Sequence, residues 1–400
     1  MAQQATTATA NGPIYGGANN GALTGLGTAD ERRALYLKIF SGEMFKGFQH
    51  NTIARDLVTR RTLKNGKSLQ FIYTGRTKAE FHVPGQSILG NDEKTPPVAE
   101  KTITCDDLLI SSAFVYELDE TLAHYDLRGE ISRKIGYALA ENYDRRIFRA
   151  ITKAARQPSP VTMNNFVEPG GSVVKVGAAN STTAADAYNA GHLVNAFYDA
   201  AAILDEKGVS GEGRVAVLNP RQYYALIQDV SSNGLINRDV QGTALQSGNG
   251  IIEIAGIKIY KSMNIPFFGK FGTKTDMNPR ASNDNEGSFV GEAMGDQDAK
   301  ATPSNSNTQK TINNYGTAAK FANSCGLIFQ KEAAGVVEAI GPQVQVTSGD
   351  VSVVYQGDVI LGRLAMGADF LNPACAVELV AGIDVSSNFN NTAVSNASFT

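Results

Sequence analysis

The pattern of apolar and polar positions is most informative between Leu109 and Arg156. The apolar run Ala113–Tyr116 is typical of a strand, and a polar, acidic stretch follows it. Beyond Arg128 the pattern predicts a single helix of about 29 residues, which would be about 43 Å long. Charged residues recur along this helix and no apolar heptad is sustained, which excludes a membrane span and a coiled coil. A long charged helix beside extended strands indicates a scaffold rather than a catalytic pocket.

A two-stranded arm is predicted between Lys64 and Cys105. Its strands are Ser68–Tyr73 and Val98–Cys105, and residues typical of turns separate them. The arm has few apolar residues with which to form a core of its own, and an isolated hairpin is marginally stable in water. The arm must therefore lie on another part of the chain or on a neighbouring subunit.

Further helices and strands are predicted along the rest of the chain, with long polar stretches between them. The predicted helices are Asp30–Phe48, Ala184–Lys207 and Arg221–Val230. The predicted strands are Val173–Val176, Arg214–Leu218, Cys325–Gln330, Val351–Met366 and Cys375–Val380, with a hairpin across Ile251–Lys261. Residues 269–316 are rich in Asn, Ser, Thr, Gly and Asp, which predicts an exposed insertion. Residues 1–28 and 381–400 have the composition of polar tails.

Composition sets limits on the class of protein. The 400 residues are enough for two to three domains, and the net charge of −3 is not that of a basic nucleic-acid-binding protein. The three cysteines are widely spaced and form no CxxC pair, so we expect them to be reduced and buried. The amino-terminal residues lack the basic and apolar regions of a signal peptide, and no apolar run is long enough to predict a transmembrane segment.

Two polar groups near the start of the long helix are candidates for chemistry. His124 and Asp126 could form an acid/base pair, but their spacing does not bring them within hydrogen-bond reach and no GxSxG motif accompanies them. A polar cap on the helix is the simpler interpretation. Glu117, Asp119 and Glu120 could bind a divalent cation, but no glycine-containing calcium loop surrounds them. We therefore predict a solvated acidic hinge.

Two further motifs also favour structural interpretations. The glycines of the range 248–250 lack phosphate-loop spacing and precede a strand, which predicts a turn. Arg60, Arg61, Lys64 and Lys67 are the densest basic cluster, but no stacking aromatics alternate with them as in a nucleic-acid groove. Contacts with acidic neighbours are the simpler prediction for this cluster. We predict no catalytic residue, no cofactor and no metal site.

Eight segments, in order along the chain, carry a family resemblance. They are Leu35–Phe48 (LYLKIFSGEMFKGF), Gly66–Phe71 (GKSLQF), Gly75–Ala79 (GRTKA), Val83–Gly85 (VPG), Glu100–Leu109 (EKTITCDDLL), Val115–Glu130 (VYELDETLAHYDLRGE), Leu218–Ile227 (LNPRQYYALI) and Tyr355–Pro373 (YQGDVILGRLAMGADFLNP). The chain resembles the major capsid proteins of short-tailed, T-odd-like bacteriophages (podoviruses), marine cyanophages included. The tails and residues 269–316 depart from the family pattern.

The resemblance implies an α+β class and the tailed-phage major capsid (Johnson) fold. It implies an N-terminal arm at 1–62, an extended E-loop at 63–112, a peripheral domain with the long spine helix at 113–190, an axial domain at 191–347 that carries the polar insertion 269–316, return strands of the peripheral domain at 348–382 and a C-terminal tail at 383–400. The long antiparallel sheet of the peripheral domain would take Ala113–Tyr116, Tyr355–Met366 and Cys375–Leu379.

The function implied by the resemblance is structural and not enzymatic. Copies of the chain would form the hexamers and pentamers of an icosahedral head around a scaffolding protein, in the host cytoplasm. Double-stranded DNA would enter through a portal protein and be enclosed in the virion without sequence-specific binding. A decoration protein is a further candidate partner, and no membrane is involved.

The resemblance also implies roles for individual residues. The candidates for contacts between subunits are Arg60, Arg61, Lys67, Phe71, Gly75, Arg76 and Pro84. Candidates for the structural hinge and spine are Glu117, His124, Asp126 and Arg128. Some relatives of the fold join a lysine to an asparagine covalently. Lys64, Lys67 or Lys78 could supply the lysine, but the chain has no matching motif, so we expect no cross-link and expect non-covalent burial of the E-loop and the arm to hold the subunits together. The alternative functions are an encapsulin-like shell around an enzyme and a soluble enzyme of unknown class that uses His124 and Asp126.

Overall fold

The structure is a computed structural model of the chain. It describes residues 53–75, 77, 79, 81–85, 96, 98–105, 108–118, 127–160, 162–163, 166–178, 181, 183–228, 253–266, 323–346 and 356–382. Several predictions lie outside the described residues: the helix at Asp30–Phe48, the turn at 248–250, the insertion at 269–316 and both tails.

The chain divides into two compact units. The first contains the described residues of Leu108–Glu141 and Ile340–Ala365, and the second contains those of Thr52–Asp107, Asn142–Ala339 and Met366–Thr400.

Runs of consecutive strands are separated by a few helices, which is an α+β arrangement. The helices are α1 (Ala54–Leu57), α2 (Leu127–Ala155), α3 (Ala190–Glu206) and α4 (Pro220–Gln228). The strands are β1 (Thr59–Thr62), β2 (Ser68–Thr74), β3 (Val98–Thr104), β4 (Leu109–Tyr116), β5 (Thr162–Met163), β6 (Phe166–Val167), β7 (Ser172–Lys175), β8 (Arg214–Leu218), β9 (Glu253–Ile254), β10 (Ile257–Lys261), β11 (Ser324–Gln330), β12 (Ala334–Val346), β13 (Gly357–Phe370) and β14 (Ala376–Val380). The predictions of the long helix, the two arm strands and the strand Arg214–Leu218 are confirmed.

The first unit packs one face of α2 on a strand pair. β4 and β13 are antiparallel, from Leu109 opposite Leu364 to Tyr116 opposite Gly357. Ile135 and Leu139 lie one helical turn apart on α2 and pack with Val115 and Ile360 of these strands in a buried cluster. Gly362 of β13 faces the same two helix residues, and a Cβ there would collide with them. Close helix–strand packing therefore requires glycine at this position.

The second unit contains a six-stranded mixed sheet in the order β7-β14-β11-β8-β10-β9. β11 is antiparallel to β14 and to β8, whereas β7 is parallel to β14 and β10 is parallel to β8. Every residue of β8 and of β14 is buried. Strands that are buried on both faces have nearly continuous apolar sequences, which is why β8 was predictable.

The predicted helix Ala184–Lys207 consists of two elements. A 3₁₀ turn at Ala184–Tyr188 comes first, and α3 begins only at Ala190. Asn189 separates them because its backbone is extended and its side chain accepts a hydrogen bond from the amide of His192 at 3.3 Å. The prediction of one helix was wrong because an N-cap asparagine is compatible with the apolar spacing on either side of it.

The predicted partners of the last strand were also wrong. The resemblance suggested that Cys375–Leu379 joins the sheet of Ala113–Tyr116, but β14 pairs with β11 and β7 in the six-stranded sheet. A 3₁₀ turn at Pro373–Cys375, capped by the Asn372 side chain, separates β14 from β13. This turn allows consecutive strands to join different sheets.

None of the helices in the described part of the chain is both long enough and apolar enough to cross a membrane.

Candidate assembly surface on the hairpin arm

The hairpin arm consists of β2, β3 and the described residues between them. The two strands are antiparallel, from Ser68 opposite Thr104 to Thr74 opposite Val98. Exposure alternates strictly along β2, and nearly so along β3, so the arm has a covered face and an open face. The prediction of a two-stranded arm is confirmed. The prediction that the arm lies on another surface is confirmed for one face, because the other face is exposed.

The open face of the arm carries large apolar side chains. Ile72 of β2 is 75% exposed and Val98 of β3 is 63% exposed. Between the strands, Phe81 is fully exposed and Val83 is more than half exposed. A group of exposed large apolar residues on one element is typical of a protein–protein contact, whereas single exposed residues are not.

A cation-rich cluster attaches the covered face of the arm to other elements of the second unit. The Lys101 ammonium lies 2.8 Å from the Asp369 carboxylate and 3.7 Å from the centre of the Phe370 ring. Lys153 of α2 lies 3.0 Å from the other oxygen of Asp369 and 5.3 Å from the same ring. One carboxylate and one ring therefore hold a lysine from the arm and a lysine from the helix.

Close packing completes the attachment of the arm. Ile103 of β3 is fully buried and lies beside Gly335 of β12. A Cβ at Gly335 would come within 2.7 Å of Leu371 and 3.0 Å of Ile103. At the start of the arm, the Cys105 amide donates to the Lys67 carbonyl at 2.8 Å. Gly335 therefore permits the arm to lie flat against β12.

A second cluster, centred on Glu338, fixes the segment that leads into the arm. The Glu338 carboxylate is 4% exposed, accepts a hydrogen bond from the Tyr143 hydroxyl at 2.6 Å and lies 3.2 Å from Arg55 and 3.9 Å from Arg60. Burial, and then the hydrogen bond to Glu338, raises the pKa of Tyr143 well above its ordinary value of 10.0. The hydrogen bond to Glu338 likewise raises the pKa of Arg55. Both groups therefore remain protonated donors to Glu338.

Asp144 of α2, the residue after Tyr143, binds the first described residues of the chain. The buried Asp144 carboxylate accepts hydrogen bonds from the amides of Ile53 and Ala54 at 3.0 Å and 3.2 Å. Ile53 is the N-cap residue and Ala54 is the first residue of α1, where an acceptor satisfies amide donors that the helix itself leaves open.

The predicted interface residues lie in different environments. Arg60 belongs to β1 and contacts Glu338. The guanidinium of Arg61, the next residue of β1, lies 5.8 Å from the centre of the Phe71 ring. For Arg60, the prediction of an acidic neighbour is confirmed. Lys67 and Pro84 are exposed.

The remaining predicted residues belong to the arm or to the hinge. Gly75, directly after β2, is half-buried, and Arg76 lies outside the described residues. The exposed Glu117 donates its amide to the Gln356 carbonyl at 3.0 Å, and Arg128 forms a 2.7 Å ion pair with Asp358 of β13. His124 and Asp126 are outside the described residues.

Sequence reasoning missed the acceptors that fix the arm. Glu338 is separated from Tyr143 by 195 residues and from Arg55 by 283 residues, so no local spacing reveals the contact. Asp369 follows an apolar run in β13, and a single carboxylate there does not indicate which residues it binds.

The described residues offer little reactive chemistry. They contain no group of three or more His, Cys, Asp or Glu side chains arranged to hold a metal. All three cysteines are free and buried, as predicted. Burial raises the pKa of Cys375 to about 12 and that of Cys325 well above its ordinary value, so neither thiol readily forms the nucleophilic thiolate.

Comparison with known proteins identifies the family. A family model described as "Gp10A-like: Major capsid protein" matches residues 70–294. In the solved capsid structure of the cyanophage P-SCSP1u, a chain 30% identical superposes with a TM-score of 0.63, covering 91% of this chain and 99% of that one.

Two curated relatives agree with that assignment. The major capsid protein of Escherichia phage T7 is 28% identical over 225 residues, which are 55% of this chain and 64% of the T7 protein. The match therefore spans less than two thirds of that relative. The major capsid protein of Enterobacteria phage T3 is 25% identical over 373 residues, covering 92% of this chain and 97% of the T3 protein. The fold is the α+β fold of tailed-phage capsid proteins, and the chain belongs to the Gp10A-like major capsid protein family.

Proposed function

We propose that copies of this chain assemble into the hexamers and pentamers of an icosahedral phage head that encloses double-stranded DNA. The family assignment supports a role in the capsid shell. A scaffolding protein during assembly, a portal protein for DNA entry and assembly in the host cytoplasm complete the proposal, as the resemblance implies. The chain acts structurally and catalyses no reaction.

The open face of the hairpin arm is the observation that carries the proposal. The covered face is fixed by the Lys101–Asp369 pair and by Ile103, so the arm is held in place by one side only. The other side presents Ile72 and Val98 to solvent. Full burial of such a side chain contributes about 1.5–3 kcal/mol. A neighbouring copy that covers this face would therefore gain stability that the isolated chain lacks.

The test is a pair of variants on the open face. In the double variant Ile72→Thr/Val98→Thr, β-branched side chains are kept but apolar surface is replaced by hydroxyls. Gln70→Thr is the matched control, because Gln70 is exposed on the same face of β2 and is already polar. Each protein is co-expressed with a scaffolding protein and examined by sucrose-gradient sedimentation and electron microscopy.

We expect the double variant to need a concentration about tenfold higher, or more, to form shells, since about 1.4 kcal/mol corresponds to a factor of ten. The control should assemble like the parent chain. Circular dichroism should be unchanged in both, because the altered side chains are already exposed. Equal assembly of all three proteins would contradict the role of the arm. A parent chain that stays monomeric would reject the capsid function itself.

A further inference from the structure

The distal part of β12, Ile340–Val346, leaves one edge without a partner strand within the described residues. β1 pairs with β12 only from Gly335 to Glu338, and the sheet order places β13 on the other side of β12. The last contact with the β1 segment is the hydrogen bond from the Leu63 amide to the Glu338 carbonyl at 2.8 Å. Beyond it, the described part of the chain provides no strand for this edge, which we call the β12 edge.

The β12 edge presents a regular row of backbone groups. Because the Glu338 carbonyl points toward β1 and backbone direction alternates along a strand, every second residue after Glu338 points its groups toward the open side. These residues are Ile340, Pro342, Val344 and Val346. All four offer a carbonyl, and all but the proline offer an N–H. Such a row is a template for another strand.

The same alternation sorts the side chains of the β12 edge. One face carries the four apolar side chains named above, and the other carries Gly341, Gln343 and Gln345. Val344 is 46% exposed and Val346 is 48% exposed. The segment contains no charged residue, so no like-charge repulsion opposes the approach of an identical segment.

We propose that the β12 edge pairs antiparallel with the β12 edge of a second copy, around a twofold axis at Gln343. In this register Ile340 lies opposite Val346 of the second copy, and Pro342 lies opposite Val344. The apolar face then continues across both copies, and the two Gln343 side chains meet on the polar face. The pairing forms about six backbone hydrogen bonds, two for each Ile340–Val346 pair and one for each Pro342–Val344 pair.

The backbone pattern favours this occupant and this register. If the register shifted by one residue, backbone N–H and C=O groups of one copy that point toward the second copy would face residues whose backbone groups point away, toward β13. The same shift would place apolar side chains of one copy beside polar side chains of the other. β3 of the hairpin arm is a poorer occupant, because it brings the charged Glu100 and Lys101 to an uncharged edge. This contact is separate from the open face of the arm and goes beyond the role proposed for that face.

Two cysteine variants on one face test the position of the axis. Gln343→Cys places two thiols across the axis, where the Cα atoms of a non-hydrogen-bonded pair are about 4.5 Å apart, a separation that a disulfide spans. Gln345→Cys is the matched control, because the same residue type is replaced on the same exposed face. In the proposed register, position 345 of one copy and position 345 of the second copy are four residues apart along the strands, or about 13 Å. The native cysteines are buried and should add little background.

The purified full chain is oxidised with glutathione disulfide and examined by non-reducing electrophoresis. We expect Gln343→Cys to shift from the monomer band to the dimer band and Gln345→Cys to remain monomeric. A mixture of Ile340→Cys and Val346→Cys chains should form dimers, whereas neither variant should do so alone. The inference is overturned if Gln343→Cys stays monomeric, if both glutamine variants cross-link equally, or if the mixture does not link. Loss of Gln343 removes only a surface hydrogen bond from Arg363 at 3.3 Å, so folding should not be affected.

Discussion

Lys207 shows how one residue couples the fold to pH. Its ammonium donates to the Gly170 carbonyl at 2.6 Å and to the Ser172 hydroxyl, so it connects the residue after α3 to the segment that enters β7. Burial lowers the pKa of Lys207 from 10.5 to about 8. The folded protein therefore releases this proton at a lower pH than the unfolded chain does.

The sign of the resulting pH dependence follows from proton linkage. Below about pH 8 both states hold the proton, and the burial penalty is constant. Between about pH 8 and pH 10.5 the unfolded state binds more protons, so the free energy of unfolding rises with pH by an amount on the order of 3 kcal/mol. Raised pKa values at Cys375 and Tyr143 act in the opposite direction, because these groups stay neutral in the fold and ionise first in the unfolded chain.

Lys207→Met isolates the lysine contribution. We expect the difference in unfolding free energy, parent chain minus variant, to increase as the pH rises from 8 toward 10.5 and to be level below pH 8. Urea unfolding at a series of pH values measures it, and the tyrosine contribution, which does not involve Lys207, cancels in the difference. A difference that does not change with pH would show that the Lys207 ammonium is solvated.

At the scale of elements, a buried ion pair joins the end of α2 to β14. The Arg156 guanidinium lies 2.6 Å and 2.7 Å from the two oxygens of Glu378 and donates to the Ser324 hydroxyl at 3.2 Å. The side chains of Arg156 and Glu378 are 2% and 0% exposed. A bidentate pair of this kind fixes orientation, because both hydrogen bonds require one plane.

Removal of one partner of this pair should cost more than removal of both. Arg156→Met leaves the Glu378 carboxylate buried without its cation, and we expect a loss of about 3–5 kcal/mol in unfolding free energy. Arg156→Met/Glu378→Met should recover most of that loss, since no charge remains buried. Urea unfolding in the Ile72→Thr/Val98→Thr background, at a protein concentration too low for shells to form, measures both variants without a contribution from assembly. Equal losses in the two variants would mean that packing, rather than charge, holds α2 to β14.

The sequence predicted elements better than it predicted their partners. The hairpin across Ile251–Lys261 was predictable because Gly256 marks its turn, and the structure places both Ala255 and Gly256 at positive φ between β9 and β10. The partners of β14 were not predictable, because an apolar strand fits either sheet. The Glu338 cluster was hidden for a related reason: its members meet only after the chain has folded.

At the scale of the whole molecule, the collinear segments predicted the family and the fold, whereas the contacts between copies remain predictions. The domain boundaries and the interface roles of Arg60, Gly75 and Pro84 also remain predictions. Composition explains the difference, because a net charge of −3 over 400 residues gives no dominant field from which a partner could be inferred. Within the described residues, the hairpin arm and the β12 edge both carry exposed large apolar side chains.

An assembly held by such surfaces should be insensitive to salt. The exposed side chains proposed for contact between copies are Ile72, Val98, Val344 and Val346, whereas Arg60 and Lys101 already have acidic partners within their own chain. Raising NaCl from about 0.1 M to about 1 M shortens the Debye length from about 10 Å to about 3 Å and weakens exposed ion pairs. It does not weaken apolar burial, and sulfate strengthens it. We therefore expect shells to keep their sedimentation coefficient across this range. Dissociation in 1 M NaCl would show instead that charged contacts between copies hold the shell together.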